Sequence, residues 1–138
     1  MHGGKKTFGL KYAGEKQKFA RSVVAGNFVF LSGSSGRILE TGEVSSDDVR
    51  IQARVALDKI KIALEEAGSS LENIVKVVIY FKDIKDYDAV REAEFQYYRE
   101  HAPALSENPP ASTVCQIVSL SKGNMLVEFD VIALRGRK

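Results

Sequence analysis

The eight residues Ile74-Val75-Lys76-Val77-Val78-Ile79-Tyr80-Phe81 are all β-branched or aromatic except for one lysine. No other stretch constrains the fold as much. A run of this kind reads as an interior strand, mostly buried on both faces. It stands between two helical patterns. Val49, Ala53, Ala56, Ile60, Ala63 and Ala67 recur at spacings of three and four, which marks one apolar stripe along a helix. Ser45 or Ser46 is placed to cap that helix, Asp47 and Asp48 suit its electropositive first turn, and Gly68 supplies the stop. After the run, Lys82-Asp83 turns the chain into a second helix, about Tyr87 to Glu100. Val90, Ala93 or Glu94, Tyr97 and Tyr98 form its inner face.

The remaining elements are short. Thr7 to Tyr12 and Phe19 to Val24 read as strands separated by a Gly14-Glu15-Lys16-Gln17 turn, and Asn27 to Ser32 as a third between Gly26 and Gly33. Gly33 to Val44 reads as a loop with a turn at Glu40-Thr41-Gly42. Ala102 to Pro110 reads as a loop leading to a closing pair of strands. One is entered through Asn108-Pro109-Pro110-Ala111-Ser112-Thr113-Val114-Cys115; the other runs from Met125 to Leu134, after a Ser121-Lys122-Gly123-Asn124 turn. The order strands, helix, strand, helix, strands predicts a single α+β domain over 1–138. Its core is one mixed sheet with two helices packed on one face. Strands apolar on both faces, with so few helices, leave the other face to be covered by self-association.

Composition removes several function classes. Twenty basic residues against 18 acidic ones give a net charge of +2, which offers no general attraction for nucleic acid. The basic ends, Lys5-Lys6 and Arg135-Gly136-Arg137-Lys138, read as solvated tails. The single cysteine, Cys115, excludes an intrachain disulfide and a Cys-rich zinc site. His2 and His101 lack partners at metal-ligand spacing, so neither a metal nor a cofactor is expected. Gly33-Ser34-Ser35-Gly36 lacks the lysine and the strand–loop–helix setting of a phosphate loop. With no apolar signal core and no run of membrane-spanning length, the expectation is a soluble cytoplasmic protein.

Glu128 and Asp130 interrupt the last strand. A carboxylate inside a strand is costly to bury unless something pairs with it or uses it, so the closing strands are where chemistry is expected. Here the chain resembles the RidA family, also called YjgF or reactive-intermediate deaminases. The resemblance rests on Asn27-Phe28-Val29-Phe30-Leu31-Ser32-Gly33, Thr41-Gly42-Glu43-Val44, Gln52-Ala53-Arg54, Leu57-Asp58-Lys59-Ile60, Ala67-Gly68, Asn73-Ile74-Val75-Lys76, Phe81-Lys82-Asp83-Ile84, Pro110-Ala111 and Val127-Glu128-Phe129. These segments fall in order from Phe19 to Leu134. The resemblance implies a chorismate-mutase-like fold, a homotrimer with a ligand cleft at each subunit interface, and cofactor-free hydrolysis of enamine and imine acids to keto acids and ammonia. That chemistry needs donors for the substrate carboxylate and a held water beside an acid–base group.

Carried over residue by residue, the resemblance puts Glu128 where the family holds its attacking water, and Ser32, followed by Gly33, at the cleft serine. Phe19 replaces a cleft tyrosine, Val114 replaces a cleft cysteine, and Arg91 stands where an asparagine is usual. Ser112 stands where the archetypal deaminases have an arginine that clamps the substrate carboxylate, and a hydroxyl does not replace a guanidinium fork. Cys115 is one residue out of step with the family cysteine and should face the opposite side of the sheet. Ser32-Gly33-Ser34-Ser35-Gly36-Arg37 is similar to the Ser-Gly-Thr-Ser-x-Arg stretch of 2-aminomuconate deaminases, which hydrolyse an enamine dicarboxylate but keep the clamp. The expected catalytic residues are therefore Glu128 and Ser32. Phe19, Gly33, Arg37, Arg91, Ser112 and Val114 are the expected substrate contacts, with Arg37 or Arg91 as the substitute cation. The alternatives are a trimeric small-molecule-binding or chaperone-like protein without turnover and a 2-aminomuconate deaminase. The ribonuclease reading attached to some family members finds no basic–aromatic patch or histidine pair here.

Overall fold

The computed structural model describes residues 4–136. Its strands are β1 (Lys6–Phe8), β2 (Lys11–Tyr12), β3 (Glu15–Lys16), β4 (Ser22–Ala25), β5 (Phe28–Leu31), β6 (Ser34–Ser35), β7 (Ile74–Phe81), β8 (Ala111–Gln116) and β9 (Val127–Leu134). Its α-helices are α1 (Val49–Glu66), α2 (Tyr87–His101) and α3 (Pro103–Glu107). The main sheet runs β1-β4-β5-β9-β7-β8, with β6 also paired to β9. Every pairing is antiparallel except β7 with β8. The sheet is mixed, as the α+β reading requires.

β7 is interior, between β9 and β8. It is buried on one face only. Val77, Ile79 and Phe81 face the helices with Val29, Phe129 and Val131, and Lys76, Val78 and Tyr80 on the other face remain half-exposed. The same open face carries Phe28, Phe30 and Leu134, each more than 40% exposed. A continuous apolar core lies between the sheet and α1 and α2, with Leu57, Leu64, Tyr97 and Tyr98 among its largest members.

Several boundaries differ from the sequence reading, for local reasons. The first strand is broken at Gly9-Leu10, and Tyr12 turns back at Ala13-Gly14 so that Glu15 and Lys16 pair as β3. Both turn residues have positive φ, 51° and 79°, as a two-residue hairpin loop requires. β4 begins at Ser22, leaving Phe19 in the preceding bend. Asp48, not a serine, caps α1 by accepting from the Arg50 amide at 2.9 Å. Pro103 opens α3 where a loop was expected, its missing N–H costing nothing at a first helical position. Lys6 belongs to β1, not to a tail, whereas His2 and the terminal Arg137-Lys138 lie outside the described residues.

The largest correction concerns the closing strands, which are not neighbours. β7 lies between them, so Ser112 pairs with Val77 and Glu128 with Tyr80. A second correction concerns the loop after β5. Phe30 pairs with Ile132 and Ser34 with Phe129, so Leu31, Ser32 and Gly33 stand opposite only Val131 and Asp130. That one-residue bulge lets β6 continue the line of β5 along β9.

Gln52 joins the start of α1 to the segment before β9. Its Nε2 donates to the carbonyls of Ser46 (2.7 Å) and Asn124 (3.0 Å), and its Oε1 accepts from the Leu126 amide (2.8 Å). Gln52→Leu leaves those backbone groups buried without partners. The expected cost is about 2–4 kcal/mol, read as a fall in Tm on the order of 10 °C. Among the described residues no helix is long and apolar enough to cross a membrane.

Candidate functional site

The bulge, the β2–β3 hairpin and the segment before β9 enclose a cleft of about 490 Å3. Tyr12, Phe19, Ser32, Gly33, Arg37 and Glu128 line it, with Ser119, Leu120, Ser121 and Met125 opposite. Five of the expected site residues therefore meet in one place within one chain.

Glu128 is half-buried on the open face of the sheet, its carboxyl seated directly against the Gly33 backbone. Burial pushes its pKa up, and the negative charge of Asp130, two residues along the same face, pushes it further; Lys59 opposes both. A carboxyl raised toward neutrality accepts a proton from water more readily than an ordinary glutamate. Ser32 lies beside it, but its Oγ donates to the Ala20 carbonyl at 2.6 Å. Its proton is committed, leaving the oxygen as an acceptor toward the cleft. Phe19, more than half exposed, forms an apolar wall.

Arg37 is held by its Nε, which donates to the Gly42 carbonyl at 2.9 Å, while its guanidinium lies 3.8 Å over the Tyr12 ring. Lys59 reaches the same tyrosine from α1, donating to Tyr12 Oη at 3.0 Å. No carboxylate among the described residues forms an ion pair with either cation. Burial lowers the Lys59 pKa to about 8, with Arg37 and Arg21 adding repulsion and Glu128 partly offsetting it. Arg37 at the cleft wall and Lys59 behind Tyr12 make this side electropositive.

The other three expected residues sit across β7, at the β8 edge. Arg91 on α2 donates from Nη2 to Ser112 Oγ (2.8 Å), from Nη1 to the buried Glu94 carboxylate (2.9 Å) and from Nε to Tyr87 Oη (3.1 Å). The guanidinium is thereby fixed beside Ser112. Burial pushes the Glu94 carboxyl up, against the lowering effect of Tyr98 and Arg91. Val114 packs partly into the core. Cys115 pairs with Tyr80 and so shares its open face, opposite to Val114.

Sequence reasoning missed Tyr12, Lys59, Ser35 and Met125. Lys59 carried a usable signal: it lies three residues from Ala56 and four from Ala63, on the edge of the buried stripe. Tyr12 carried none, since the hairpin that aims it is two residues per strand.

The family model described as endoribonuclease L-PSP matches residues 13–135. A RutC family protein of Pyrococcus abyssi is 32% identical over 117 residues, 85% of this chain and 86% of its own length. A 2-iminobutanoate/2-iminopropanoate deaminase of Escherichia coli is 32% identical over 117 residues, covering 85% and 87%. Among solved structures, Escherichia coli TdcF with bound serine superposes with a TM-score of 0.78 at 30% identity, over 87% of this chain and 90% of that one.

Proposed function

The chain belongs to the endoribonuclease L-PSP family, that of the RidA and YjgF proteins, and from that premise we propose that it is an enamine and imine deaminase-type hydrolase. It converts reactive enamine or imine acids to keto acids and ammonia. The observation that carries this reading is one cleft that holds the half-buried Glu128 carboxyl together with Arg37, a cation with no ion-pair partner among the described residues. Glu128 takes a proton from water as the water adds to the imine carbon. Arg37 holds the substrate carboxylate, because within one chain it shares the cleft with Glu128 and Arg91 does not. Ser32 accepts a hydrogen bond from the bound substrate or water, and Phe19 walls the apolar side.

The assembly is a homotrimer in which the β8 edge of one copy closes the cleft of the next. Arg91, Ser112 and Val114 then face Glu128 across the interface. Two features support this. The residues implied by the family resemblance fall into two groups separated by β7, and the open face exposes Phe28, Phe30 and Leu134.

The test is to add the protein to a dehydratase that releases 2-aminoacrylate. Keto acid should form faster, and less intermediate should be trapped by semicarbazide. The serine at position 112 favours one other reading, a binding protein without turnover. Thermal stabilisation by keto acids with no acceleration would select it.

A further inference from the structure

Tyr12 lines two spaces at once. One is the Glu128 cleft; the other is a cavity of about 20 Å3 behind it, lined also by Arg21, Ser32, Gly33 and Lys59. That volume is enough for one water. The Lys59 ammonium donates one of its three protons to Tyr12 Oη, and the tyrosine hydroxyl proton has no acceptor among the described residues. A phenol that accepts from an ammonium and has its own proton unassigned, at the wall of a hydrolytic cleft, is arranged as a proton donor.

We propose that Tyr12 is the proton donor to the substrate nitrogen in the cleft, and that Lys59 is the positioning residue that holds Tyr12 and replaces its proton. This rests on the deaminase reading above and assigns its acid side. As water adds to the imine carbon, one water proton goes to Glu128 and the C=N electron pair goes to nitrogen. The nitrogen takes the Tyr12 proton, and a Lys59 proton moves to Tyr12. The resulting aminoalcohol then collapses. Its C–N bond breaks, nitrogen takes the proton held by Glu128 and leaves as ammonia, and the alcohol proton returns through Tyr12 to Lys59. One imine and one water give one keto group and one ammonia, with every protein group restored.

The charged and titratable groups facing Lys59 are Tyr12 from β2, Arg21 ahead of β4, Arg37 beyond β6 and Glu128 from β9. The two arginines favour loss of its proton, and Glu128 opposes it. The proton-bearing form is the active one, so kcat/KM should fall as pH rises through about 8. On the acid side it should rise as Glu128 deprotonates, above the ordinary carboxylate value.

Three variants test the assignment by pH–rate profile. Tyr12→Phe should lower kcat/KM about a hundredfold. Lys59→Met should lower it at least tenfold at pH 7 and abolish the alkaline limb. The double variant should be no worse than Tyr12→Phe alone. If Lys59→Met fails to fold, Lys59→Arg, which keeps the charge but has no proton to give, should lower kcat/KM to the same extent and likewise lack the limb near pH 8. Retention of the wild-type limb in either lysine variant overturns the proposal and leaves the deaminase reading intact. If the wild-type protein does not hydrolyse imines, the deaminase reading fails. The pair is then judged on 2-oxobutanoate affinity, which should weaken above pH 8 in the wild type and not in Lys59→Met. No such difference overturns it there as well.

Discussion

Glu128→Gln is expected to remove the acceleration of imine hydrolysis by a factor of about 10²–10⁴ while leaving the fold intact. Glutamine keeps the side chain's volume and its place against Gly33 but has no lone pair basic enough to take a proton from water. Stability should move in the opposite direction to activity. The Glu128 carboxyl is raised by burial and by Asp130, so its ionisation opposes folding. Its favourable contribution is present below the ordinary glutamate value and is lost as pH rises through the raised one. Thermal melts from pH 4 to 8 should therefore show the wild type losing stability relative to Glu128→Gln with rising pH. A variant that keeps turnover within a few-fold of wild type would remove Glu128 from the mechanism.

Gly33→Ala should be nearly as damaging to activity, for a different reason. The Gly33 backbone is not left-handed, so alanine meets no conformational penalty there. Its Cβ would instead overlap the Glu128 carboxylate, approaching Cδ to 2.7 Å and Cγ to 3.1 Å. Because the overlapped atoms are the free end of a side chain, the carboxyl can swing into the cleft. The stability cost should be small, about 1 kcal/mol or less. The catalytic cost should be large, roughly 10²-fold, since a displacement of about 1 Å misaligns the water. The discriminating measurement is the double variant. Gly33→Ala should cause no further loss in a Glu128→Gln background, because the two changes disable the same group. Two independent, additive losses would show that the glycine serves some other contact.

Periodicity made the α1 stripe and its Gly68 stop legible, and the Ile74–Phe81 run rightly placed a strand at the sheet's interior. Those signals are local and repeat over several turns or residues. What was not legible depends on pairing between distant segments. Nothing in Ala111–Gln116 or Val127–Leu134 says that β7 separates them, because a parallel return and a hairpin can share the same strand composition. The site divides in the same way. Glu128 stood out as a carboxylate inside a strand, Ser32, Gly33, Phe19 and Arg37 came from a family resemblance, and all five share one cleft. The Tyr12–Lys59 contact joins residues 47 positions apart; the helix period places Lys59 at the edge of the buried stripe, but nothing near Tyr12 says what it meets. The third helix was hidden because its opening proline reads equally well as a loop residue.

The bulge at Leu31–Gly33 carries a consequence for gene length. Removing one residue from that segment would leave two residues opposite Val131 and Asp130, so Ser34 and Ser35 would keep their partners Phe129 and Glu128 and their faces. Ser34 Oγ would still donate to the Ala56 carbonyl in the core. The extra residue would be gone, and with it the bend that seats the Gly33 backbone against the Glu128 carboxyl. A single-codon deletion here should therefore keep the sheet and abolish activity. The number of residues between Phe30 and Ser34 is itself part of what builds the site.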